Sequence, residues 1–151
     1  MDDDAVLAAR AAALADAIEA AVGPWVLRCV ERVAEAQGLG EDPARTAAAE
    51  QAAVAARDEV VPAVRALLAT DVDAQTTSPL ALLRDAVRHP TAVLRATGAT
   101  PVERDDFDRR AFPDDDFGLV PAAFADVDPA LAGPGVEWGA AKAFVHLARR
   151  R

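Results

Sequence analysis

The chain has 151 residues, which is enough for one domain with a real hydrophobic core. Its net charge of −9 argues against nucleic-acid binding, because proteins that bind phosphate backbones present clustered basic residues. The acidic start at residues 2–4 argues against a secretion signal. The sequence has no run of about 18 uncharged apolar residues, which a membrane span would need. We therefore expect a soluble, cytoplasmic protein.

The first hundred residues are rich in alanine and predict a series of helices, with Trp25 as their only aromatic residue. Asp2–Asp4 suits a helix N-terminus. Gly23-Pro24 predicts the end of this first helix and the start of a second, which Gly38-Leu39-Gly40 closes. Apolar residues at helical spacing predict the buried faces. They are Leu7, Leu14, Ile18 and Val22 in the first helix, and Val26, Cys29, Val30 and Val33 in the second.

Asp42-Pro43 predicts a third helix, with aspartate as the N-cap and proline in the first turn, running to about Ala69. Pro62 lies inside this helix. We expect a kink or break near residues 58–61, because an interior proline removes one backbone hydrogen bond and clashes with the preceding turn. The predicted buried face of the third helix consists of Val54, Val61, Val64 and Leu68.

A fourth helix is predicted to start at Ser78-Pro79, which repeats the pattern of a capping residue followed by proline. His89-Pro90 is expected to interrupt it, and a last turn or two reaches Ala96 before Gly98. Its predicted buried face consists of Leu80, Leu83 and Val87.

The segment from Pro101 to Gly135 differs from the rest because it is acidic, broken by prolines and studded with phenylalanine. One short helix is expected over residues 102–111, and the prolines that follow leave no room for a long one. A solvated linker has no use for spaced phenylalanine, so we expect the rings to pin an irregular segment to the helical body. The rings concerned are Phe107, Phe112, Phe117 and Phe124.

A final helix is predicted from Val136 to about Arg150, anchored through Trp138 and Phe144. No run of residues alternates as a β-strand would. We therefore predict an all-α, single-domain bundle. It has Ala-rich helices over residues 1–100, an irregular acidic segment over 101–135 packed on them, and a C-terminal helix over 136–151.

The acidic run is the candidate binding site. Asp114, Asp115 and Asp116 directly precede Phe117 and Gly118, which places the ring at a turn tip. An exposed ring rimmed by charge is typical of a surface that docks a protein partner. The alternative is that the rings of this segment fill the core that alanine leaves thin.

Clustered aspartates also suit hard cations, which take carboxylate oxygens, although this spacing matches no known calcium loop. The metal-binding alternative would use four residues: Asp114, Asp116, His89 and His146. In the simpler interpretation, the aspartates cap a helix and form a solvated turn. It places His89 at a loop corner and His146 at a helix C-terminus.

Cys29 is the single cysteine, so an intramolecular disulfide is excluded. On an apolar helix face it is expected to behave as a small hydrophobe; it would be a nucleophile only if Arg28 or Arg32 lowered its pKa. The sequence has no phosphate-binding glycine motif and no Gly-x-Ser-x-Gly, and we predict no cofactor.

These features favour a non-enzymatic adaptor or regulator that acts through protein–protein interaction, with self-association as one form of it. The first alternative is a metal-dependent enzyme or metal-binding protein that uses the aspartate cluster with a histidine. The second is an acidic mimic of nucleic acid that binds a basic partner protein.

Overall fold

The structure is a computed structural model that describes residues 3–69, 82, 85–111 and 113–119. Within these residues lie four helices: α1 (Asp3–Ala36), α2 (Pro43–Ala69), α3 (Arg88–Ala96) and α4 (Asp106–Ala111). The described residues contain no strand, and the predicted all-α class is confirmed. None of the described helices is both long and apolar enough to cross a membrane.

Several predictions fall outside the described residues. They are the start of the fourth helix at Ser78-Pro79 with Leu80 and Leu83, the rings of Phe112, Phe124, Trp138 and Phe144, His146, and the C-terminal helix over 136–151.

α1 and α2 form an antiparallel pair. Near one end, Arg65 of α2 donates hydrogen bonds to Asp16 and Glu19 of α1, at 2.9 and 2.7 Å. Farther along, Gly23 of α1 faces Ala53 of α2, and a Cβ added to Gly23 would lie 3.9 Å from the Ala53 Cβ. Because the distance between helix axes depends on the side chains at the contact, these small residues let the two backbones approach closely.

Trp25 is the largest side chain of the core, and none of it is exposed. An aromatic ring of this kind buries roughly 150–250 Å², which is area that the surrounding alanines lack. Trp25 shares a buried cluster with apolar residues of α1, α2 and the approach to α3. The larger members are Ile18, Val22, Val26, Val60, Val64, Leu68 and Val87.

The prediction that Gly23-Pro24 ends the first helix is wrong, because α1 continues through Pro24. Proline lacks the N–H that would bond to the Ala20 carbonyl. Pro24 and Ala20 are both exposed, so water has access to this carbonyl. A continuous helix places three buried residues from both sides of the proline on one face: Val22, Trp25 and Val26.

Pro62 is accommodated in the same way. α2 is continuous through this residue, so the predicted break near residues 58–61 is absent. Pro62 and Asp58, whose carbonyl loses its backbone partner, are both exposed. The solvent-facing side of a helix thus tolerates a proline that its core-facing side would not.

The predicted buried faces are largely confirmed. In α1 the buried members are Ile18, Val22, Val26, Cys29 and Val30, and in α2 they are Val61, Val64 and Leu68. The prediction is wrong for Val54, which is half-exposed. The actual face of α2 follows smaller residues at helical spacing: Ala49, Ala53, Ala56 and Val60.

The predicted junction between α1 and α2 is confirmed. Gly38 has φ of +63°, which favours glycine, and the Leu39 N–H bonds to the Ala34 carbonyl at 2.9 Å. These are the features of a Schellman helix end. Asp42 then caps α2, since its carboxylate accepts the Ala44 N–H at 2.9 Å.

α3 packs against both long helices. It begins at Arg88 after a turn at Ala86-Val87, slightly before the interruption predicted at His89-Pro90, and it reaches Ala96 as predicted. Pro90 lies in the first turn, where a backbone N–H would have no helical partner.

Replacing Pro24 with alanine tests the continuity of α1. We expect Pro24→Ala to raise the free energy of unfolding by about 1–3 kcal/mol, because it restores an interior helical hydrogen bond. Urea unfolding followed by circular dichroism measures this change. Pro43→Ala, in the first turn of α2, is the matched control and should change stability by less than about 1 kcal/mol. A loss of stability in Pro24→Ala would indicate a helix start at this position instead.

Candidate functional site

The chain that leaves α3 is fastened to the end of α1. The Gln37 side chain donates from Nε2 to the Thr100 carbonyl and accepts the Thr100 N–H at Oε1, both at 2.8 Å. One amide thereby satisfies both backbone groups of Thr100. This pairing fixes where the acidic segment starts relative to the helices.

Phe117 lies in the core, as expected of a ring that pins this segment to the helical body; it belongs to a turn as predicted, but the expectation that its ring is exposed there is wrong. Its side chain is 6% exposed, and it belongs to a second buried cluster formed with α1, α2 and α3. A turn fixes the path of the backbone but not the direction of the side chain. The other buried members are Val30, Ala49, Val93, Leu94 and Ala99.

Two of the predicted aspartates hold this ring in place. The Asp115 side chain is buried, and its Oδ1 accepts the Leu119 N–H at 2.7 Å across the turn. Asp116 forms an ion pair with Arg95 of α3 through both Nε and Nη2. We call residues 113–119 the anchor loop, because its ring, hydrogen bond and ion pair attach the acidic segment to the helical body.

The anchor loop also supports the chain before α4. The Val102 N–H bonds to the Asp116 carbonyl at 2.9 Å. Gly118 has φ of +68°, and a Cβ added there would lie 4.0 Å from a methyl of Val102. The two stretches of chain that flank α4 are therefore in direct contact.

The structure does not arrange the predicted partner-binding residues as one exposed surface. Asp114 is exposed, Asp116 is half-buried in its ion pair, and Asp115 and Phe117 are buried. Their contacts give three of these four residues a structural role. Partner binding by Asp114 stays a prediction.

Among the described residues, Phe107 is a ring at the surface, so the expectation that it pins the segment to the helical body is wrong. Its side chain is 72% exposed, and Val102 nearby in sequence is 47% exposed. The sequences around the two rings differ, because Phe107 has charged residues on both sides, whereas Phe117 is followed by Gly118 and Leu119. We call the exposed face of α4 around Phe107 the Phe107 surface.

α4 presents Phe107 between charges of opposite sign. This helix starts at Asp106, four residues later than predicted, and its first turn is closed by the Arg109 N–H on the Asp105 carbonyl at 3.1 Å. Arg110 donates from Nε to the Asp106 carbonyl at 3.1 Å. Acids at the N-terminus and arginines at the C-terminus both suit the helix dipole.

Two residues of the metal alternative, His89 and Asp116, have other partners. His89 Nε2 lies 2.9 Å from Glu59 Oε2, and Arg88 contacts the other oxygen of Glu59. Asp116 pairs with Arg95. Across the part of the chain that the structure describes, no three His, Cys, Asp or Glu residues are grouped so as to hold a metal ion. His146 lies outside this part.

Cys29 has the environment of an inert thiol. Burial raises its pKa to about 12, the nearby Asp115 carboxylate also raises it, and Arg32 opposes both effects only in part. At neutral pH the side chain is therefore a thiol rather than the nucleophilic thiolate. Burial therefore outweighs the lowering of the pKa by a neighbouring arginine that the sequence left open.

Comparison of the chain with protein-family models, with curated proteins and with solved structures gave no match.

The two rings should differ sharply in their effect on stability. We expect Phe117→Ala to lower the free energy of unfolding by about 3–5 kcal/mol, because it leaves a cavity in a packed cluster. Phe107→Ala should change it by less than about 0.5 kcal/mol, because that ring is mostly in water. Urea unfolding of both variants checks the contrast, and equal losses would contradict the assignment of Phe107 to the surface.

Cys29 should make the protein sensitive to alkali. In the unfolded chain its pKa has the ordinary value of 9.0, whereas in the folded chain it is about 12. Above pH 9 the unfolded state loses a proton that the folded state keeps. Stability should therefore fall between pH 9 and 12, by at most about 1.4 kcal/mol per pH unit.

Few other side chains titrate in this alkaline range, since the chain has no tyrosine and Lys142 is its single lysine. Urea unfolding of the wild type and of Cys29→Ala would be compared from pH 8 to 11. The stability of the variant should depend less steeply on pH. Parallel curves would show that the thiol is not the group responsible.

Proposed function

We propose that this protein is a small, non-enzymatic, cytoplasmic adaptor or regulator that acts through protein–protein interaction. The observation that carries the proposal is the 72% exposure of Phe107 on a segment fastened to the helical body. Exposed aromatic side chains with charged neighbours are typical of protein-binding surfaces.

The attachment of this segment supports the proposal. Phe117, Asp115 and Asp116 secure the chain after α4, and Gln37 secures the chain before it at Thr100. A ring held on such a support loses less conformational freedom on binding than a ring on a flexible chain, which improves affinity. The buried residues of the acidic segment thus help to hold the exposed Phe107 in position.

The local charge also bears on the choice of function. Exposed residues around Phe107 include acids, such as Glu103 and Asp106, and bases, such as Arg109 and Arg110. Asp116 is neutralised by Arg95. This mixed surface favours a protein partner over the basic, phosphate-binding site that a nucleic-acid mimic would occupy. No contact among the described residues favours the metal-dependent alternative.

Capture of a binding partner tests the proposal. The immobilised full chain would be incubated with lysate of the native host, as wild type, Phe107→Ser and Val54→Ser. Val54 is a half-exposed valine on α2 and serves as the matched control for loss of exposed apolar surface. We expect a protein that the wild type and Val54→Ser retain equally and that Phe107→Ser retains at least tenfold less.

Circular dichroism should first establish that all three proteins are equally helical. Retention of the same partner by Phe107→Ser would move the site away from α4. Absence of any specifically retained protein would oppose the adaptor function. The variants avoid Asp115 and Phe117, because their loss would release the anchor loop and confuse binding with folding.

A further inference from the structure

The order of charges along α4 is complementary to itself. Asp106 lies in the first turn and Arg110 in the last, four residues apart and on one side of the helix, and Phe107 lies beside them. All three residues are exposed. When two copies of such a helix lie antiparallel, the acidic end of each faces the basic end of the other, and the two rings meet between them.

We propose that the Phe107 surface binds a second copy of this chain through a two-fold axis that passes near Phe107. The inference rests on the proposed function, since it names the partner of the same surface. A two-fold interface requires a patch that is complementary to itself. Asp106 and Arg110, with Phe107 beside them, meet this requirement because each carries the charge that the other attracts. Antiparallel α4 helices also place opposite ends of their dipoles together.

The size of the surface sets the strength of the dimer. Two phenylalanine rings would bury roughly 300–500 Å² in total, well below the roughly 1,200 Å² of stable interfaces. The net charge of −9 on each copy opposes association at low salt. At 0.15 M salt, charges farther apart than about 8 Å are screened, whereas contacting ion pairs persist. We therefore expect a weak dimer that forms only at high concentrations of the chain.

Two reversals of charge test the pairing. The full chain would be studied by sedimentation velocity from 10 µM to 1 mM in roughly 0.15 M salt, a range chosen for weak association. Asp106→Arg and Arg110→Asp should each weaken self-association at least fivefold, because each brings like charges together across the axis. An equimolar mixture of these two variants should associate at least as strongly as the wild type, because opposite charges then face each other.

Matched reversals on α2 control for total charge. Asp58→Arg changes the net charge as much as Asp106→Arg does, and Arg57→Asp as much as Arg110→Asp. Both control residues are exposed on α2, and their variants should associate like the wild type. Phe107→Ser should abolish association without a change in helix content, which circular dichroism would verify.

A monomeric wild type at 1 mM would overturn the inference, as would a mixture of the two reversal variants that fails to associate. Self-association that persists in Phe107→Ser would also overturn it, by placing the interface elsewhere. These outcomes are separate from the proposed function. A monomeric protein that still captures a different partner through Phe107 would retain the adaptor function and lose only the dimer.

Discussion

The structure depends on the close antiparallel packing of α1 against α2. Gly23 and Ala53 bring the two backbones together, and Trp25 fills the space beside this contact with one large ring. Alanine supplies little apolar area, so a helix pair rich in alanine gains stability from short distances and from a few large side chains. The same packing keeps α1 continuous through Pro24, because its buried face extends on both sides of the proline.

A second consequence of the thin alanine core is the recruitment of Phe117. Among the described residues, the cluster that includes Val30, Ala49 and Leu94 has no aromatic residue from α1, α2 or α3, and the acidic segment supplies one. The energy of burying this ring opposes the charge and proline content that would otherwise favour a solvated chain. Asp115 and Asp116 then have structural partners, which is why an acidic run by itself was a poor guide to a binding site.

Local signals predicted the helix ends and much of the core. Gly38, Asp42 and Gly98 act through their own backbone geometry or nearest neighbours, so their roles are legible in sequence. Pro24 was wrongly predicted to start a helix. The residues around a proline do not show whether it lies in the first turn of a helix or on the exposed face of a continuous one. The difference lies in which side faces the core, and that is a property of the packed pair. The alanine face of α2 was missed for a related reason, since alanine carries almost no periodic signal of hydrophobicity.

The candidate site shows the same limit more clearly. Phe107 and Phe117 lie in one acidic segment, both next to aspartates, and composition does not separate them. What separates them is the gap among α1, α2 and α3, which one ring fills and the other has no access to. Once Phe117 occupies that gap, the contacts of Val102 with the anchor loop and of Gln37 with Thr100 place α4 on the outside. The exposure of Phe107 is therefore a consequence of how its neighbours are buried.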